Sequence, residues 1–292
     1  MQATAAARRV GPYEIGAEIG RGSTARVFAA QHLGMARQVA FKELRLRAAG
    51  DTDAVQRFLT EARITASISH PHVVPAHDYV EQDGGGAALV LEHAPHGSLR
   101  QHIRRGLGLA QAGSILEDVL SGLGRLESQR VVHLDIKPDN LLVTAQGRIK
   151  IADFGTARWL ETEEREGHDD RDDMHVAGTP HYLAPEQARC GRLGPWTDLY
   201  AVGILAFEML AGWAPFADTL DPVDVVARQL HDPVPRVCDL IPGMSPQVAD
   251  WIAWLTAKAP ADRPTAALEA WDGLDRVLTD ELGPSWQLAG GL

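Results

Sequence analysis

A carboxylate, an ammonium and an amide follow one another at Asp135, Lys137 and Asn140. In that order they can orient a hydroxyl, neutralise a phosphoryl group in transit and offer an oxygen to Mg²⁺, which together are the needs of phosphoryl transfer. Asp153, in Asp153-Phe154-Gly155, adds a carboxylate to the carbonyl of Asn140, the oxygen donors a hard cation takes. Apolar runs flank the first three, Val131-Val132 before and Leu141-Leu142-Val143 after. Buried on both sides, they would hold the polar residues in a set loop.

Other elements must bring further groups to this loop. Tyr13 to Gly20 and Arg26 to His32 read as strands joined by Arg21-Gly22-Ser23-Thr24-Ala25, a hairpin with glycines where backbone must approach something closely. A third strand, Gln38 to Lys42, ends in a lysine, and alone such a lysine is a solvated charge. Ala54 to Ser69 has helical periodicity, with Glu61 beside its apolar face and His70-Pro71 closing it. Ala76 to Glu81 and Ala87 to Leu91 form a hairpin around Asp83-Gly84-Gly85-Gly86, and 92–97 reads as a linker. Helices are expected over Ser98 to Arg105 and Leu109 to Ser128, then a hairpin of Leu141 to Thr144 with Arg148 to Ile151. Trp196 to Ala211, Pro222 to His231, Pro246 to Ala257 and Thr265 to Leu278 complete a helical half. Asp198 reads equally well as a helix cap and as a buried group with another task.

The 292 residues, 45% apolar and 23% charged, suit one large domain or two packed lobes. A net charge of −11 argues against a nucleic-acid partner. Glu161 to Asp173 holds eight carboxylates against two arginines and so supplies −6 of that total. This run reads as a solvated loop, or as a negative surface that orders its segment or draws in a basic substrate. Cys190 and Cys238 make neither a metal pattern nor a disulfide framework, which points to a reducing compartment. Leu199 to Phe216 is apolar, but Glu208, Gly203, Gly212 and Pro215 interrupt it, so a buried helix is expected and no membrane span. A cytoplasmic location follows as an expectation.

The ordered set of motifs resembles the protein kinases, and in particular the eukaryotic-like (Hanks-type) serine/threonine kinases of bacteria. It covers nearly the whole chain, from Tyr13 to Leu278. The resemblance implies an α+β, bilobal fold: a small β-rich N-lobe with helix C over 13–91, a hinge at 92–97 and a larger, mainly helical C-lobe over 98–278. Tails of 1–12 and 279–292 would flank it. It implies ATP, with Mg²⁺ or alternatively Mn²⁺, and transfer to protein Ser and Thr hydroxyls. Gly20, Arg21, Gly22, Ser23, Thr24 and Ala25 would cover the phosphates, and Val27, Ala40 and Leu142 would enclose the adenine. Backbone of Glu92 and Ala94 would bond its edge, with Leu91 behind. Lys42, paired with Glu61, would hold the α- and β-phosphates. Asp135 would act on the acceptor hydroxyl beside Lys137, Asn140 and Asp153 would take the metal, and Thr179 would bond Asp135 and Lys137. Asp198 would hold the loop backbone from below, and Arg263 would pair with Glu186 of Ala184-Pro185-Glu186.

Two departures stand out. Ala25 replaces the third glycine of the phosphate hairpin, which leaves that lid less flexible. Leu134 replaces the arginine that usually precedes the catalytic aspartate and grips an activation-loop phosphate, so a phosphothreonine there would lose its main cationic partner. Thr162 is the remaining acceptor in that segment, and activity independent of its phosphorylation is expected. Two other functions compete: a pseudokinase scaffold, and a small-molecule kinase. Lys42, Asp135, Asn140 and Asp153 weigh against the first. The Gly178-Thr179 and Ala184-Pro185-Glu186 segments, suited to an extended peptide, weigh against the second.

Overall fold

The computed structural model describes residues 8–22, 24–45, 52–82, 86–104, 106–160, 179–219 and 221–290. Contacts divide the chain into two compact units, Met1–Pro95 and His96–Leu292.

In the first unit, strands β1 (Arg8–Val10), β2 (Tyr13–Arg21), β3 (Ala25–His32), β4 (Arg37–Leu44), β5 (Ala76–Gln82) and β6 (Gly86–Glu92) form one antiparallel sheet in the order β1-β2-β3-β4-β6-β5. Alternation along the strands sends Tyr13, Ile15, Phe28, Val39, Phe41 and Val90 into one cluster. The opposite face meets helix α1 (Thr52–Ser67), where Leu44, Ala54, Phe58, Ala62, Ala87 and Leu89 pack. Of the stretch read as a tail, 1–12, Arg8–Val10 form β1, and 1–7 lie outside the described residues. Gly11, at φ +55°, turns the chain so that Val10 pairs with Tyr13 and Arg8 with Ile15. The Arg8 guanidinium then bonds Glu43 and stacks 5.5 Å from the centre of the Phe28 ring.

The second unit opens with a 3₁₀ turn at Leu99–Gln101 rather than the helix expected over Ser98 to Arg105. Gly97 and Gly106, both at positive φ, bracket the stretch and leave too few residues for a stable helix. Helix α2 (Leu109–Ser128), short strands β7 (Val131–Val132), β8 (Leu141–Val143), β9 (Ile149–Ile151) and β10 (Arg158–Trp159), and helices α3 (Pro185–Ala188) and α4 (Pro195–Ala211) follow. Strand β7 pairs with β10, and β8 with β9. Helix α4 is buried from Thr197 to Ala211 and forms the centre of the unit. Around it stand α5 (Pro222–His231), α6 (Val237–Leu240), α7 (Pro246–Leu255) and α8 (Ala267–Leu282). Gly203 lets α4 and α7 approach, since a Cβ there would lie 2.9 Å from Leu255 Cβ.

The C-terminal boundary also moves. Helix α8 runs past Leu278, whose side chain is wholly buried, and stops at Gly283, φ +86°. A 3₁₀ turn at Trp286–Ala289 then docks Trp286 beside Gly113 of α2, with its indole N–H donating to Asp275 Oδ1 at 3.2 Å. Residues 279–290 are therefore part of the packed unit.

One carboxyl of this unit couples its stability to pH. Glu127, in the last turn of α2, accepts the Ala267 N–H at the start of α8 at 2.8 Å. Burial first, and then the charge of Asp198, push its carboxyl up from 4.5 to about 7, against the lowering effect of the Ala267 bond. The fold favours the neutral acid, so its contribution is complete below pH 4.5 and is lost as pH rises through about 7. Glu127→Gln keeps the acceptor without the charge. We expect it to gain on the order of 2 kcal/mol over wild type between pH 5 and 8, after a discount for partial exposure. Denaturant unfolding at several pH values measures this, and parallel pH curves for the two chains would refute it.

Candidate functional site

In the first unit, Lys42 and Leu89 are cross-strand partners, as are Ala40 and Leu91 and, across β3, Val27 and Lys42. Side chains directly opposite on antiparallel strands point to one face, so Val27, Ala40, Lys42 and Leu91 share the face that meets α1. There the Lys42 ammonium donates to Glu61 Oε1 of α1, and both residues are buried, at 8% and 5% exposure. Glu61 thus fixes the amine of Lys42, which lies two residues inside the end of β4, and removal of either partner would strand a buried charge.

The hairpin between β2 and β3 closes through Gly22 N–H to Ala25 O at 2.8 Å. Neither Gly20 nor Gly22 sits at positive φ. A Cβ on Gly20 would lie at ordinary contact distance from Val27, 3.6 Å, so nothing within the strand pair demands glycine there. Arg21 and Arg26 both bond Glu18, which holds the Glu18 carboxyl near 2 through the Arg21 bond first and the Arg26 bond second. Thr24 is exposed and Ala25 buried, while Ser23 lies outside the described residues.

The first residue of the linker expected over 92–97 is still in a strand. Glu92 ends β6 opposite Val39, and its N–H already donates to Pro75 O at 3.2 Å. Ala94 is half-buried just before the boundary between the units.

In the second unit the chemistry-bearing loop runs from β7 to β8. Asp135 Oδ2 accepts from Lys137 Nζ at 2.7 Å and from Asn140 Nδ2 at 2.8 Å, and Asn140 Nδ2 also reaches Asp135 O at 2.9 Å. Asp135, Lys137 and Asn140 are therefore in direct contact. Both donors of the Asn140 amide are used internally, which turns its carbonyl oxygen to a different task.

Asp198 settles the choice left open by its position. Its two oxygens accept the His133 and Leu134 backbone N–H groups, each at 2.7 Å. It is 4% exposed, and burial pushes its carboxyl above the ordinary range despite these bonds and the neighbouring His133. This tether holds Leu134 at φ 66°, a conformation a leucine rarely adopts. Gln187 Nε2 and Thr156 Oγ1 then donate to the carbonyls of Leu134 and His133, at 3.0 Å in each case.

Asp153 follows β9 at φ 63°. Ala152, the residue before it, is bonded to the loop on both sides: its N–H donates to Asn140 O at 2.8 Å, and its carbonyl lies 3.1 Å from His133 Nε2. Phe154 meets the His133 ring edge-on at 5.0 Å. Leu142, half-buried, bridges Ser98. No cluster of three or more His, Cys, Asp or Glu side chains is present among the described residues. The carbonyl of Asn140 and the carboxylate of Asp153 are oxygen donors of the kind a small divalent cation takes.

Thr179 does not reach its expected partners. It is half-buried at the start of a 3₁₀ turn, Pro180–Tyr182, and no hydrogen bond joins it to Asp135 or Lys137 among the described residues. Asp135 Oδ2 already accepts from two donors. Glu186 and Arg263 do meet, through two bonds of 2.8 and 2.9 Å. Thr162 and the acidic run 161–173 lie outside the described residues.

One network was missed. Arg100 bonds Asp139 at 3.1 Å, Tyr182 Oη at 3.1 Å and the buried Glu208, and Tyr182 also donates to Glu208. It connects the residue before Asn140 to the segment after Thr179. A glutamate within an otherwise apolar helix signalled it, because such a charge must find a partner.

A model described as the protein kinase domain matches residues 13–271. Serine/threonine-protein kinase PknL of Mycobacterium tuberculosis is 33% identical over 278 residues, which cover 94% of this chain and 68% of PknL. Serine/threonine-protein kinase PrkC of Bacillus subtilis is 34% identical over 255 residues, 87% of this chain and 38% of PrkC. A probable serine/threonine-protein kinase of Bifidobacterium longum, pknA2, is 34% identical over 285 residues, 95% of this chain and 36% of its own length. No helix among the described residues is long and apolar enough to cross a membrane.

Proposed function

This chain belongs to the protein kinase domain family, and from that premise we propose that it transfers the γ-phosphoryl group of ATP to Ser and Thr hydroxyls of proteins. The observation that carries this reading is the bonded set Asp135, Lys137 and Asn140, held on a loop whose backbone Asp198 anchors. Asp135 accepts the hydroxyl proton and orients the oxygen. Lys137 neutralises charge on the group in transit. Lys42, set by Glu61, takes the α- and β-phosphates under the Gly20–Ala25 hairpin. Val27, Ala40, Leu91 and Leu142 contact the adenine, and Glu92 and Ala94 read its edge through backbone. Asn140 and Asp153 hold Mg²⁺, which when bound offsets phosphate charge. Thr179 acts in the peptide-seating segment instead of on Asp135. The chain itself acts in the cytoplasm, the reducing compartment that free Cys190 and Cys238 suit. Transfer of label from γ-labelled ATP to a generic protein tests the reading. Label appears with the wild-type chain and is lost in Asp153→Ala; equal labelling by both would refute it.

Turnover does not require a phosphate on Thr162, because Leu134 offers such a phosphate no cation. Phosphatase-treated chain and Thr162→Ala should keep kcat within about twofold of the untreated chain. Steady-state rates decide this, and a drop of tenfold or more in both would defeat it.

A further inference from the structure

Of the 28 lysines and arginines, lysine stands only at Lys42, Lys137, Lys150 and Lys258. The first two belong to the site above, and Lys150 lies on β9. Lys258 follows α7 and has no place in that chemistry. Where arginine serves nearly every other cationic position, this one carries an amine, which can give up its proton as a guanidinium does not.

Burial and the guanidiniums of Arg263 and Arg189 favour that loss, against two ring contacts and Asp232, which favour the cation. The half-buried amine donates to Tyr200 Oη at 2.9 Å and lies 5.3 Å from the centre of the Tyr200 ring and 5.9 Å from that of Phe216. Arg263, from the loop before α8, and Arg189, after α3, oppose its charge, and Asp232, after α5, supports it. Asp232 is shared with Arg228, which stacks over the other ring, Phe216, at 4.5 Å. Glu186 is bound up with Arg263. Burial first and Arg263 second bring the amine from 10.5 down to about 8.

The hydroxyl it bonds leads elsewhere. Tyr200 Oη donates to Gln229 Oε1, and Gln229 Nε2 donates to the His181 carbonyl, two residues past Thr179. Tyr200 and Gln229 are fully buried, so the relay is shut off from solvent between Lys258 and that segment.

We infer that Lys258 is an acylation site: a nucleophilic amine that takes an acyl group from an acyl phosphate and transmits the change through Tyr200 and Gln229 to the segment around His181. The exposed guanidinium of Arg189, which donates to the Leu230 carbonyl at 3.1 Å and to no carboxylate among the described residues, favours an anionic donor of this class. In the step, neutral Nζ forms a bond to the acyl carbon and the carbon–oxygen bond to phosphate breaks. Phosphate leaves with the electron pair, and the amine proton passes to solvent. The amide product has no charge to place over the two rings and a single N–H left for Tyr200.

Acetyl phosphate is the probe. The full chain is incubated with it at several pH values, folded and in denaturant, and acetylation at each lysine is measured by peptide mass spectrometry. Folded Lys258 should react on the order of tenfold faster at pH 7.5 than in the denatured chain, because its larger neutral fraction outweighs a weaker nucleophile and partial burial. Its rate should level off above pH 8. A folded rate no higher than the denatured one, or a rise that continues to pH 10, overturns the assignment. This mapping needs no transfer activity, so it succeeds or fails apart from the kinase reading. The relay to His181 does rest on that reading. Lys258→Gln should raise KM for a protein substrate about threefold with kcat for ATP turnover held, and Lys258→Arg should restore it. Equal KM values for both variants overturn the relay.

Discussion

Asp135→Asn should lose between about 10² and 10⁴ in kcat while its affinity for ATP stays within roughly twofold of wild type. The substitution isolates proton acceptance. An asparagine carbonyl can still accept from Lys137 Nζ and Asn140 Nδ2, so the contacts that Asp135 Oδ2 makes at 2.7 and 2.8 Å survive. The loop backbone is anchored separately by Asp198. What disappears is a carboxylate able to take the acceptor proton as the new bond to phosphorus forms. Calorimetric titration with ATP and Mg²⁺, together with labelled-phosphate transfer, gives both quantities. Normal turnover would remove Asp135 from its assigned role, and lost ATP affinity would show that the variant had disturbed the loop itself.

The largest effect on stability is expected at Arg263. Its side chain is fully buried, bonds both oxygens of Glu186, and donates to the carbonyls of Trp196, Ala257 and Lys258. It also stacks 4.8 Å from the centre of the Tyr200 ring. Arg263→Ala leaves a buried carboxylate unpaired and three carbonyls without this donor, a loss of about 3–5 kcal/mol. In a unit this large that is a fall of roughly 10 °C in Tm. Thermal unfolding reads it, and a shift below about 3 °C would mean that water reaches the pair. Pairing Arg263→Met with Glu186→Leu should recover much of the loss, because two apolar groups leave no charge to be solvated.

Motif spacing carried the site further than it carried the secondary structure. Lys42 with Glu61 and Arg263 with Glu186 were readable as pairs because each lies at a fixed place in an ordered set, although 19 and 77 residues separate the partners. The same reasoning did not extend to Thr179, which makes no hydrogen bond to Asp135 or Lys137 among the described residues. Asp198 was undecided from sequence, because a cap and a loop anchor both favour aspartate at a helix start. The backbone bonds to His133 and Leu134 decided it. Element ends were misread where glycine or tertiary contact overrode periodicity. Gly97 and Gly106 cut short the helix expected at 98–105, and Gly11 turned a supposed tail into β1. The Arg100 network escaped notice because its members, Asp139, Tyr182 and Glu208, share no motif.

The docking of Trp286 against α2 determines where this chain can be trimmed. A version cut at Leu278 would match the motif boundaries yet lose the last turn of α8 together with an indole that is only 3% exposed. The cut would bare Gly113, the flank of Leu278 and the ring of Trp271, whose centre lies 6.1 Å from that of Trp286. A greasy scar of that kind invites self-association, so clumping by such a shortened form would say nothing against the enzyme and would come from the fourteen missing residues.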